Sequence, residues 1–119
     1  MRTASKKLLF DMAEACRAIQ EFNSTGGLME YSADPMRRAA TERMFEIIGE
    51  AMVRLREADP ATFARVPESL AIIGFRNRLI HGYDLVDHEV VWSIIQDDAL
   101  DAARVVKDRR RSAHPGTEE

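Results

Sequence analysis

Apolar positions recur every three or four residues along most of this chain, a spacing that predicts helices rather than strands. From Ser5 to Phe22, the residues Leu8, Leu9, Met12, Cys16, Ile19 and Phe22 form one stripe. Lys6, Asp11, Glu14, Arg17 and Glu21 fall mostly off it. Ser24-Thr25-Gly26-Gly27 reads as a break. A second helix is expected from Asp34, whose carboxylate can cap free amides while Pro35 takes the first helical position, to about Ala58. Its stripe is Met36, Ala40, Met44, Ile47, Ile48, Ala51 and Leu55. Gly49 inside it costs about 1 kcal/mol relative to alanine, a cost explained if another helix approaches closely there. Asp59-Pro60 ends the segment, and residues 60–66 form a connection with room for one helical turn. Pro67 suits the first turn of a third helix carrying Leu70, Ile73, Asn77 and Ile80, which Gly82 would stop at a left-handed cap. Asp87 is placed to cap a fourth helix with Val91, Ile94, Ile95, Leu100, Ala102 and Val105 on its stripe.

The predicted fold is therefore all-α: an antiparallel bundle of four to five helices, whose apolar stripes also suit dimerisation through helices. Residues 1–106 would make the bundle. Residues 107–119, with Arg109-Arg110-Arg111 followed by Pro115 and Gly116, would make a basic, disordered C-terminal tail.

Composition narrows the picture in three ways. A chain of 119 residues fits one domain, and 45% hydrophobic with only 7% aromatic residues suits helices better than a sandwich or barrel. The single cysteine, Cys16, excludes an internal disulfide and is expected to be buried as a small apolar residue. No apolar run approaches the ~18 residues of a membrane span, and no apolar segment follows the basic start, so a cytoplasmic location is expected. The formal net charge of −3 argues against coating nucleic acid by bulk attraction. Positive charge gathers at Arg76 and Arg78, at Arg37, Arg38 and Arg43, and in the tail, which suits a local phosphate contact on an acidic body.

The densest chemistry lies in Arg76-Asn77-Arg78-Leu79-Ile80-His81-Gly82-Tyr83. Asn77 and His81 are four apart, so they share a helix face and the amide could orient the imidazole. Arg76 and His81 are five apart, about 140° around an ideal helix. Either the last turn is distorted, or the arginine reaches round, or two motifs meet across a dimer axis; the third is favoured. Arginine with histidine is a rational set for metal-independent RNA cleavage. Histidine would take the proton from the ribose 2′-hydroxyl or protonate the departing 5′-oxygen, and arginine would hold the phosphate and its developing charge. Arg78 could add RNA affinity, and Tyr83 could stack a base. On residue chemistry alone the plainer reading stays open: the arginines pair with surface carboxylates and His81 ends a helix.

The stretch Ile72-Ile73-Gly74-Phe75-Arg76-Asn77-Arg78-Leu79-Ile80-His81-Gly82-Tyr83 closely resembles the signature of HepT-like HEPN toxins, in which Arg is followed by four residues, His, any residue and Tyr. Ile47-Ile48-Gly49-Glu50-Ala51 upstream, and Val90-Val91-Trp92 with Asp97-Asp98 downstream, also resemble the family. The resemblance covers about residues 5–106. It implies a HEPN bundle that dimerises, two motifs sharing a cleft, and a metal-independent endoribonuclease toxin without a cofactor. It also implies catalytic roles for Arg76 and His81, a supporting role for Asn77, and a nucleotidyltransferase-fold (MntA-like) antitoxin that transfers AMP to Tyr83. Tyr31 to Arg43 is not matched, so a substrate contact by Arg37, Arg38 or Arg43 stays open.

His81, Asp84, Asp87 and His88 have the residue types for a metal site, but they straddle a helix stop, a loop and a cap, so no metal site is assigned. Trp92 is expected in the core or a dimer interface. The alternative function is a HEPN module that binds RNA, a nucleotide or a partner protein without chemistry.

Overall fold

The structure, a computed structural model, describes residues 3–81 and 87–96. Among them are six helices and no strand: α1 (Thr3–Phe22), α2 (Leu28–Ala33), α3 (Pro35–Ala58), α4 (Pro60–Ala64), α5 (Ser69–His81) and α6 (His88–Gln96). The all-α bundle is thus as expected. The four expected helices are α1, α3, α5 and α6, joined by two short ones. The expected continuation of α6 to Val105, the cap at Gly82, and the tail 107–119 lie outside the described residues.

α3 is the central element, with α1 packed along one side, α5 on another and α2 against its start. Two polar contacts fix the direction of α1. Near its end Asn23 donates through Nδ2 to Thr41 Oγ1 at 3.1 Å, early in α3. At its start Ser5 Oγ donates to Asp59 Oδ2 at 2.8 Å, just past the end of α3. The two helices therefore run antiparallel, and Ser5, Asn23 and Thr41 are buried polar residues with partners.

The caps follow the expected chemistry. Asp34 Oδ1 accepts from Arg37 N at 3.0 Å, with Pro35 opening α3. Asp59 does two jobs, since Oδ1 accepts from Thr62 N at 3.2 Å to start α4 while Oδ2 holds Ser5. Asp87 Oδ1 accepts from Glu89 N at 2.8 Å at the start of α6.

The core differs from the expected stripes in register more than in kind. α1 buries Leu9, Met12, Cys16 and Ile19 as expected, while Phe22 is 39% exposed. Cys16 is fully covered, and burial pushes its thiol up to about 12, so it behaves as an inert core residue. On α3 the buried face is Thr41, Phe45, Ile48, Gly49, Met52 and Leu55, with Ala51. Met36, assigned to that stripe, is 83% exposed. α3 packs on several sides at once, so no single stripe describes it. The break at residues 24–27 is present, with Gly26 at φ +77° in the left-handed region where glycine is favoured. Directly after it comes α2, six residues that the periodicity did not predict, anchored by a completely buried Tyr31. The third helix begins at Ser69 rather than at Pro67, because Glu68 adopts φ 61°, which no continuing right-handed helix allows.

Removing the carboxylate that joins α1, α3 and α4 should weaken the bundle. Asp59→Ala is expected to lower unfolding free energy by about 1–2 kcal/mol, the scale of a lost cap, measured by urea denaturation.

Candidate functional site

α5 carries the candidate residues, and its placement starts from a missing side chain on α3. A Cβ built on Gly49 would stand 2.3 Å from Arg76 Cβ and 2.5 Å from Cγ. The aliphatic stem of Arg76 therefore lies where any other residue would project, and the close approach anticipated for Gly49 is a crossing with α5. Phe45 and Phe75 flank the crossing edge to face, with ring centroids 5.1 Å apart.

This crossing decides which face of α5 turns inward. Ile73, Phe75 and Leu79 are buried, and Arg76 is partly covered. Leu70 and Ile80, expected on the inner stripe, are instead 66% and 37% exposed. The physical reason for Leu70 is that Arg76 must face Gly49 and Phe75 must meet Phe45, which turns it outward; Ile80 shares the face of the buried Ile73 but stands one residue from the end of α5.

The head of Arg76 is held as firmly as its stem. Nη1 donates to Asn77 Oδ1 at 2.9 Å, and Nη2 stands 3.7 Å from Glu50 Oε2 on α3. Nε is buried with no hydrogen-bond partner among the described residues. The guanidinium thus lies between Asn77 and Glu50, with its Nε covered by the fold and its terminal nitrogens toward these two partners. Asn77 was expected to orient His81; its carbonyl oxygen is instead committed to Arg76. Arg78 is exposed and its guanidinium lies 5.7 Å from the Phe75 ring centroid. His81 is exposed at the last position of α5. Tyr83 lies outside the described residues, as does Asp84 of the weighed metal set. Among the described residues no cluster of three or more His, Cys, Asp or Glu could hold a metal ion, and no helix is long and apolar enough to cross a membrane.

Arg37, Arg38 and Arg43 are engaged within the fold. Arg37 donates through Nε to Asn23 Oδ1 at 2.9 Å and through Nη2 to the Thr25 carbonyl at 2.8 Å. It also lies 6.0 Å from the Trp92 ring centroid. Arg38 donates to the Ser32 carbonyl, and Arg43 pairs with Glu46 at 3.2 Å. Trp92 packs 5.7 Å from the buried Tyr31 ring, a packing role as expected. The residue that sequence reasoning missed is Glu50. It stands beside Gly49 in the family-like flank, but only the crossing reveals that it faces Arg76.

The chain matches the family model described as Ribonuclease HepT-like over residues 12–108. It is 33% identical over 93 residues to "Putative RNase MJ1380" of Methanocaldococcus jannaschii, covering 78% of this chain and 84% of that protein. It is 32% identical over 101 residues to "Probable ribonuclease HepT" of Thermococcus cleftensis, covering 82% and 88%. A similar likeness, 32% over 79 residues and 66% and 70% coverage, links it to "Putative RNase TTE0752" of Caldanaerobacter subterraneus. No solved structure matches the chain.

Gly49→Ala tests the crossing. Despite alanine's better helix propensity, the variant is expected to lose about 1–3 kcal/mol through overpacking against Arg76, read as a lower midpoint in urea.

Proposed function

The chain belongs to the HepT-like ribonuclease family, and from that premise we propose that it is a metal-independent endoribonuclease whose catalytic pair is Arg76 and His81. The observation that carries this reading is an Arg76 guanidinium held between Asn77 and Glu50 on the helix that ends in an exposed His81. In the reaction the ribose 2′-oxygen attacks the adjacent phosphorus and the 5′-oxygen leaves. The products are a 2′,3′-cyclic phosphate and a 5′-hydroxyl end. His81 accepts the 2′-hydroxyl proton or supplies one to the leaving oxygen. Arg76 stabilises the charge that builds on the phosphoryl oxygens. Asn77 holds Arg76, and Arg78 adds attraction for the RNA backbone.

The working unit is proposed to be a homodimer with two motifs in one cleft. Arg76 turns toward α3 while His81 stands about 140° further around the same helix, so one copy does not focus both groups on one phosphate. The outer side of α5 supports this arrangement. Leu70 is exposed there, and a Cβ on Gly74 would meet nothing within 4 Å. The biological role we infer is that of a toxin in a toxin–antitoxin pair, with a nucleotidyltransferase-fold antitoxin that transfers AMP to Tyr83. A bulky anion two residues from His81 would block RNA and repel its phosphates. The second reading, a binding module without chemistry, is less well supported, because a module that only binds has no need of histidine at the end of α5.

The test compares the wild type, Arg76→Ala and His81→Ala on RNA in the presence of EDTA. Cleavage by wild type alone, with loss of at least about 100-fold in each variant, is expected. A wild type carrying no Tyr83 modification that leaves RNA intact would favour the binding module.

A further inference from the structure

We propose that Glu50 is a positioning residue for Arg76, and that it trades RNA affinity for alignment of the guanidinium. The inference rests on the proposed role of Arg76 as phosphate-binding group and goes beyond it to a residue on a different helix. The Arg76 stem has little freedom, because Cβ and Cγ sit against the bare backbone of Gly49. Its head has two described partners, Asn77 Oδ1 at 2.9 Å and Glu50 Oε2 at 3.7 Å. Asn77 is the neighbour in sequence and moves with Arg76, so it cannot set the head's direction relative to the rest of the bundle. Glu50 can, since it projects from α3 one residue beyond the crossing point.

A role in stability explains this pair poorly. The Arg76 and Glu50 side chains are 24% and 44% exposed, and such solvated ion pairs contribute little to folding. The carboxylate is also an awkward neighbour for a phosphate site. It competes for the same donors and repels the incoming anion, so its charge weakens binding of ground-state RNA. What it supplies is orientation. A guanidinium tethered to α3 keeps one direction relative to the bundle, and a misplacement of about 1 Å in such a group can cost about 100-fold in rate.

Glu50→Gln keeps the shape and removes the charge, and at a half-exposed position it should fold as wild type does. Glu46→Gln is the control, because Glu46 is also on α3 but pairs with Arg43. Two readouts are needed. In cleavage, Glu50→Gln is expected to lower kcat about 10-fold without raising KM, while Glu46→Gln leaves both unchanged. In binding to a non-cleavable 2′-O-methyl RNA, Glu50→Gln is expected to tighten the complex severalfold. That gain should vanish in an Arg76→Ala background, since the two residues act as one unit. The binding readout stands even where no cleavage is detected, so failure of this inference and failure of the ribonuclease reading are separable. The proposal is overturned if Glu50→Gln behaves like Glu46→Gln in binding, or if its effect is the same with Arg76 present or absent. Glu50→Asp, which keeps the charge on a shorter arm, should retain wild-type affinity and lose part of kcat; full loss of affinity would likewise overturn it.

Discussion

The close crossing of α3 and α5 at Gly49 is the constraint on which the rest depends. With no side chain on α3 at that point, the stem of Arg76 fills the space and sets the rotation of α5. Everything else on α5 follows from that rotation. Phe75 meets Phe45, Leu79 and Ile73 enter the core, and Leu70, Gly74, Asn77 and Arg78 face outward. His81 then stands exposed where the helix ends. A glycine in mid-helix weakens α3 locally, and the crossing gives that weakness a structural purpose.

The crossing can do this only because α3 is itself held from the other side. α1 lies antiparallel along it, tied at one end through Asn23 and Thr41 and at the other through Ser5 and Asp59. Apolar residues between those ties, Leu9, Met12, Cys16 and Ile19, are almost wholly buried. A rigid α3 is what makes its two site-facing residues useful. Gly49 places the base of an arginine side chain and Glu50 stands by its tip, so the arginine proposed as catalytic takes its geometry from a neighbouring helix.

Much of this was legible in the chain itself, for identifiable reasons. Asp34-Pro35 and Asp87 announce helix starts through short-range capping chemistry, and both caps are present; Asp59-Pro60 reads as an end of α3 and also caps α4. The α1 stripe is legible because that helix packs mainly against α3. α3 itself misleads, since a helix with several neighbours is apolar on more than one face; hence its stripe includes the exposed Met36 and leaves out Thr41, which has Asn23 as a buried partner. α2 escaped because six residues are too few for a period to register. At the site, Arg76, Asn77 and His81 were visible as a motif and Gly49 as an oddity needing a neighbour. That the neighbour is Arg76, with Glu50 beside it, is a tertiary fact that no local pattern contains.

The central claim is that this helical pair directs a 2′-hydroxyl to attack its own phosphate, with no metal taking part. The most direct measurement uses an RNA that the protein cuts at a defined bond, resynthesised with a single 2′-O-methyl group on the nucleotide 5′ to that bond. Cleavage there is expected to disappear while other bonds are still cut, and unmodified RNA to yield 2′,3′-cyclic phosphate ends in EDTA. Continued cleavage beside the methylated sugar would contradict it.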